Sequence, residues 1–312
     1  MRSETLGSRP GLLARLRGTL FVRRIRRRPA ALLAFTCLIV IVLAATFAPL
    51  IAPFNPYDLA SLDLLDSHLP PAMAAGGDPR HLLGSDSQGA DIASLVLYGL
   101  RSSLLVGILA VAISASVGTM AGLVSGYLGG RWDSVIMRAA DVQFTFPALL
   151  LALLIGGITQ SLLSTELRAT LAMPVLILAL GISHWPHFAR LVRGACMVER
   201  QRDYVAAATL AGRGAFFIMT RQLLPNVLNP IFVLVTLDVA FAIMSEATLS
   251  FLGFGMPSTQ PSLGTLIRTG YTYLFSGEWW VVIFPGLMLV ILLVSINVFG
   301  DWLRDILDPR LH

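Results

Sequence analysis

Five stretches of this chain run for more than twenty residues without an Asp, Glu or Arg: Ala30 to Ala52, Ser102 to Gly130, Val142 to Thr165, Ala169 to Ala189 and Trp279 to Gly300. A sixth, Pro225 to Leu252, is apolar apart from Asp238 and Glu246. About 20 apolar residues in a helix cross the hydrocarbon of a bilayer. Inside it, only a helix or a closed barrel satisfies every backbone polar group. The expected fold class is therefore an all-α integral membrane protein with six transmembrane helices. Composition agrees: 55% of the 312 residues are apolar and 13% charged, against about 25% charged in a soluble domain. A water-soluble globule is excluded, and so is disorder, whose signature is low hydrophobicity. The second window is longer than a span needs, so its end around Ser125 to Gly130 is expected to leave the core or tilt.

All 23 basic residues are Arg, and their positions orient the chain. Nine precede the first span, from Arg2 to Arg28. With that end in the cytoplasm, 19 lie inside and only Arg80, Arg101, Arg168 and Arg268 outside, as the inside excess of cationic residues requires. Both termini are expected to be cytoplasmic. The organisation that follows is a basic cytoplasmic segment (1–29), a first span (30–52), an extracytoplasmic segment (53–101), a five-helix core (102–300) with a cytoplasmic loop at 190–224, and a cytoplasmic tail (301–312). The first apolar run exceeds a signal-peptide core and no small-x-small site follows it, so it reads as a retained anchor. Leu13, Leu16 and Leu20 recur at helical spacing among arginines, which suits a helix on the anionic inner leaflet or a disordered basic tail. Arginines placed this way flank membrane lipid, and no nucleic-acid partner is expected. Cys37 and Cys196 have no metal or redox spacing and read as small buried hydrophobes.

Asp238 and Glu246 sit eight residues apart on one span, within about 80° of each other around a helix. An intramembrane acid costs about 2.5–3.5 kcal/mol at a helix centre, so each needs a reason. They either line a polar path or pair with another helix. A buried structural pairing is expected for Asp238; for Glu246, a solvated place near the outer interface competes. Ser183 and His184 are adjacent, hence about 100° apart on a helix, which is not the geometry of a nucleophile and its base. His184 and His187 are expected as interfacial groups near the inner leaflet. No GxSxG, HExxH or Walker A run occurs, and ionisable groups for a proton-coupled secondary carrier are sparse. No catalytic, metal or cofactor site is expected. In the 190–224 loop, Val205, Leu210, Phe217, Ile218 and Leu223 recur among charged and small residues, broken by Gly212 and Gly214. This predicts two short helices joined by a glycine turn and ended by Pro225. A pore with no engine, presenting a helical knob to the cytoplasm, suits one driven by a partner.

The run Asp203-Tyr204-Val205-Ala206-Ala207-Ala208, then Gly212, then Leu224-Pro225-Asn226, resembles the EAA loop of binding-protein-dependent ABC importer permeases. More narrowly, the chain is similar to the C-type permease subunit of dipeptide and oligopeptide importers. Leu83-Gly84-Ser85-Asp86 with Gly89 and Asp91, Leu97 to Leu104, Ser125 to Gly130 with Asp133, Met137-Arg138 with Asp141, and Ala189 to Gly194 all match in order. So do Glu246 to Gly253 and Gly300 to Asp305 with Leu307-Asp308-Pro309. The resemblance implies the type I importer permease fold, shared with MetI-like subunits. It further implies a homologous B-type permease as heterodimer partner, two ABC ATPase subunits that hold the ATP and Mg, and a periplasmic or lipid-anchored solute-binding protein. It implies a coupling helix from Asp203 to about Gly212 that docks on the ATPase, and a role near the external gate for Glu246, with Gly253 and Gly255 beyond it. Peptide is the implied cargo; nickel complexes, opines, glutathione and sugars are carried by similar importers. Three departures stand out: Ala206 where the motif has Glu, Ala90 where the external segment has Arg, and Leu263 where a Trp is usual.

Overall fold

The computed structural model describes residues 28–56 and 63–307. The Leu13, Leu16 and Leu20 stripe and the Asp308-Pro309 end of the last motif lie outside the described residues. Nine main helices follow in order among these: α1 Pro29–Thr46, α2 Ile92–Leu128, α3 Gly130–Phe144, α4 Ala148–Leu162, α5 Thr165–Glu199, α6 Asp203–Leu210, α7 Leu224–Leu252, α8 Leu263–Tyr273 and α9 Trp280–Leu307. α1, α2, α5, α7 and α9 are each long and apolar enough to span a membrane, with α5 qualifying from Leu167 and α7 counted from Ala215. α3 and α4, bent by 81° at their junction, make a sixth if taken as one span.

Helices overrun the charge-free windows because a charge stops membrane burial without stopping a helix. α2 has 37 residues, about 55 Å, well beyond the roughly 30 Å hydrocarbon core. Most of the surplus lies before Ser102, where Asp91 caps the helix by accepting from the Ser94 N–H at 2.8 Å and the Ser94 hydroxyl at 2.7 Å. α5 carries Arg190 and Arg193 within it, so the loop begins at Arg200 rather than Arg190. α9 continues past Gly300 through Leu307. The third window is corrected as well. Phe146 precedes a proline and is pushed out of the helical region, the chain breaks there, and Val142–Phe144 belong to α3.

α2 and α5 form the most extensive contact in the bundle, and a stripe of glycines makes it possible. A Cβ on Gly118 would lie 2.4 Å from the Trp185 carbonyl oxygen, one on Gly122 2.6 Å from that of Ala189, and one on Gly126 2.8 Å from the Cys196 Cβ. Spaced four apart, these glycines share one face of α2 and let the two backbones touch, as small-xxx-small faces do in membranes. Polar clamps lock the same pair at one end. Arg193 of α5 grips Asp133 of α3 through Nε at 2.6 Å and Nη2 at 2.7 Å, and Ser125 of α2 donates to the same carboxylate. Arg190 pairs with Asp141 at 2.5 Å and lies 4.0 Å over the Phe144 ring. The Asp133, Asp141, Arg190 and Arg193 of the matching motifs are thus partners of one another.

At the opposite end, Gly84 and Gly89 take positive φ in a tight turn whose Ser85 carbonyl accepts from the Trp280 indole at 3.1 Å, tying the segment before α2 to α9. Ala90 is buried there, and Leu263 is buried in the adjoining core. The described chain ends meet: Arg28 pairs with Asp305, and Phe35 stacks on Phe299 at 5.4 Å. Replacing Gly122 by Val forces a branched side chain against the α5 backbone. The expected loss is about 1–3 kcal/mol or more, read as a lowered melting temperature of the detergent-purified assembly; an unchanged melt would refute the close-approach account.

Candidate functional site

The predicted knob is α6 with its glycine turn. Its faces are split: Val205 and Ala208 are buried, whereas Asp203, Ala206, Ala207 and Leu210 are exposed. Val205 and Ala208 pack in one apolar cluster with Phe188 and Val192 of α5 and with Ile218, Leu223 and Val227 beyond the turn; Leu224 lies against it. Gly212, at φ +71°, ends the helix in a Schellman pair, with the Gly212 N–H on the Thr209 carbonyl at 3.0 Å and the Arg213 N–H on that of Ala208 at 3.1 Å. Only a residue free of Cβ strain takes that φ readily.

Pro225 does not end the segment. A helical turn at Ala215–Phe217, a π-helical turn at Ile218–Leu223 and α7 run on without a break. The proline has no N–H for the Arg221 carbonyl and its ring crowds that oxygen; the wider π turn accommodates both. Asn226 then donates its side-chain amide to the Gln222 carbonyl at 2.7 Å and to the Tyr204 hydroxyl at 3.1 Å. Tyr204 in turn donates to Glu199 at 2.8 Å. Burial, reinforced by that carboxylate, pushes the Tyr204 hydroxyl up to about 12, so it remains a donor at any physiological pH. Tyr204 and Asn226, 22 residues apart, therefore fasten α6 to both α5 and α7.

Further along the bundle, the Asp238 carboxylate of α7 meets His184 Nδ1 of α5 at 2.8 Å and the Ser114 hydroxyl of α2 at 3.4 Å. Asp238 is the buried pairing expected of it. His184 is buried, 9% exposed, because it serves as that partner, while the exposed His187 stands edge-on to Phe144 at 4.8 Å. Ser183 returns its hydroxyl to the Ala179 carbonyl at 2.6 Å, away from any such chemistry.

Glu246 is fully buried, which overturns the solvated alternative. Its carboxylate accepts from Ser103 of α2 at 2.8 Å and from Ser250 of α7 at 2.7 Å. Each serine oxygen accepts in turn: Ser103 from the Leu263 N–H at 3.2 Å and Ser250 from the Met256 N–H at 3.0 Å. One carboxylate thereby holds both ends of the connection between α7 and α8. That connection starts at Gly253, whose φ of +90° caps α7 and whose carbonyl accepts from Gln160 of α4 at 2.7 Å. Sequence reasoning singled out Glu246 and Gly253 but missed Ser103 and Ser250, which lie inside the matched motifs, and the glycine stripe, whose four-residue spacing was its visible signal.

The profile of the family "Binding-protein-dependent transport system inner membrane component" matches residues 118–312, and that of the "N-terminal TM domain of oligopeptide transport permease C" matches residues 18–71. The chain is 38% identical over 286 residues to the dipeptide transport system permease protein DppC of Haemophilus influenzae, covering 92% of each. It is 39% identical to DppC of Escherichia coli, covering 92% of this chain and 91% of that one. A solved structure of the inward-facing MetNI methionine ABC transporter superposes with a TM-score of 0.53 at 19% identity, over 68% of this chain and 96% of that one. The chain belongs to the binding-protein-dependent family of inner-membrane transport components. Within that family it has the ABC permease fold, a multi-pass transport subunit rather than an enzyme, and membership implies an ATPase and a solute-binding protein as partners.

Glu246→Ala strands the two serine donors and opens a void beside them. It should cost about 1–3 kcal/mol for unsatisfied buried groups and lower the melting temperature of the assembly, while Glu246→Gln, which keeps one acceptor oxygen, loses less. Equal melts for Ala, Gln and wild type would rule out the staple.

Proposed function

We propose that this chain is one half of the membrane path of an ATP-driven, binding-protein-dependent importer of di- or oligopeptides across the bacterial inner membrane. A homologous permease supplies the other half, two ABC ATPases hold and hydrolyse the nucleotide, and a periplasmic or lipid-anchored receptor delivers the cargo. The chain itself binds no cofactor and breaks no bond. Peptide is chosen because the DppC relatives, similar over nine-tenths of the chain, are named for dipeptide transport. Arginine bias orients α6 and both described chain ends toward the cytoplasm.

The observation that carries the reading is the split face of α6. One side is anchored in the bundle, and the other offers Leu210, 89% exposed, with Phe216 across the turn at 77%. An apolar side chain that exposed, on a helix that rigidly fastened, suits a surface for a partner protein. Small Ala206 and Ala207 allow that partner a close approach. When the ATPases close on ATP, a pull on α6 reaches α5 and α7 through the Val205–Ala208 cluster and the Tyr204–Asn226 link. The His184–Asp238 pair and the glycine contact carry it on to α2. Rocking of such fastened helices about a central path is how alternating access is achieved. Gly253 and the Glu246 staple sit at the external side of that path, where they hold its connection in place.

Leu210→Asp should reduce co-purifying ATPase by about tenfold or more, the scale of losing an anchor residue, and Gly212→Val should do likewise by straining the turn. Dipeptide uptake into vesicles holding the whole complex should require hydrolysable ATP and survive collapse of the proton gradient. Uptake by this chain alone would refute the proposal, since it would make the chain a secondary carrier.

A further inference from the structure

A cavity of about 600 Å³ opens between α4, the first turns of α5, the connection after Gly253 and α8. Its volume falls in the range of about 300–1,000 Å³ typical of small-molecule sites. Along α5 its wall runs from Arg168 to Ala179, about 16 Å at helical rise. Two guanidinium groups, those of Arg168 and Arg268, line it, and among the described lining residues none is a carboxylate. Most of the other polar groups in the wall are already engaged. Gln160 donates to the Gly253 carbonyl at 2.7 Å, Thr265 to that of Met256 at 3.1 Å and Thr269 to that of Thr265 at 3.1 Å. Arg168 spends its Nε on the Leu163 carbonyl at 2.7 Å. Arg268 has no hydrogen-bond or ion-pair partner among the described residues. Its guanidinium lies over Gly253, where a Cβ would come within 2.5 Å of Nη1. The glycine that caps α7 therefore also makes the seat for this cation.

We propose that this cavity is a carboxylate-reading subsite of the translocation path, in which Arg268, aided by Arg168, receives the C-terminal carboxylate of the peptide cargo. The inference rests on the peptide-import reading above and adds a determinant to it. A planar guanidinium fork matches a carboxylate through paired, charge-assisted hydrogen bonds. Every linear peptide with a free C-terminus carries that carboxylate whatever its side chains, so one contact serves a broad cargo set. With no acidic group among the described lining residues, the position is open for the ligand's own charge.

The test uses the complete complex, permease pair, ATPases and receptor, in vesicles, with labelled dialanine and its C-terminal amide as probes. The receptor's own preference is common to all variants and cancels when each variant's ratio of the two uptake rates is divided by that of wild type. Arg268→Gln should lower the carboxylate-to-amide ratio about tenfold, the scale of losing a hydrogen bond to a charged group. Arg268→Lys should lower it less, and Gly253→Ala should act like a weakened Arg268→Gln. Should Arg268→Gln fail to assemble, equilibrium binding of both probes to the wild-type permease–ATPase complex without receptor decides the matter, with dialanine expected to bind tighter than its amide. An unchanged ratio, equal binding of the two probes, or an Arg268 effect that tracks only the anionic lipid content of the vesicles overturns the subsite. If the wild-type complex moves neither probe, the peptide-import reading itself has failed.

Discussion

Lipid tails are as apolar as leucine, so helices in a membrane are not driven together by escape from water. They associate where surfaces fit closely enough to gain dispersion contacts, each worth only about 0.1–0.2 kcal/mol per atom pair. The approach of α2 to α5 over Gly118, Gly122 and Gly126 is the contact on which the rest of this bundle depends. Because it brings backbone against backbone, it fixes how far apart Asp133 and Arg193 can stand and where Ser114 meets Asp238. The polar pairs need that rigid frame, since a hydrogen bond in a loose bundle loses its geometry first.

Buried polar groups then do the opposite of what a path lining would need. Asp238 and Glu246 each sit at 5% exposure or less and are hydrogen-bonded, Asp238 to α5 and α2 and Glu246 to α2 and to Ser250 of its own helix. They join separate elements, α5 with α7 in one case and the two ends of the α7–α8 connection in the other. Arg268, at the cavity wall, has by contrast no hydrogen-bond or ion-pair partner among the described residues. Structural charge and available charge are thus separated along the same helix bundle.

Much of this was legible in the sequence. The apolar windows fall on the five helices long and apolar enough to span, whereas the third breaks between α3 and α4; Gly212 marked a turn, and the apolar period of 203–223 gave two helices and a face. Helix ends were misplaced because hydropathy reports where an apolar run stops, and α2, α5 and α9 all continue past the charges that bound their windows. Pro225 misled because a proline ends a helix only when no neighbouring turn can widen, and here a π turn does. His184 and Glu246 were unreadable alone: an ionisable residue in an apolar run looks the same whether it touches water or a partner 54 or 143 positions away. The cavity gave no signal at all, since Arg168 and Arg268 are a hundred residues apart and each looks like an ordinary loop arginine.

The exposed rim of α6 also bears on the life of the subunit before assembly. On the proposed orientation and docking, a copy synthesised in excess of its companions would show Leu210 and Phe216 to the cytosol, the kind of apolar signal that proteolytic quality control acts on when a chain lingers unprotected. Stoichiometry of the finished machine would then be enforced by degradation of orphans, with no dedicated regulator required.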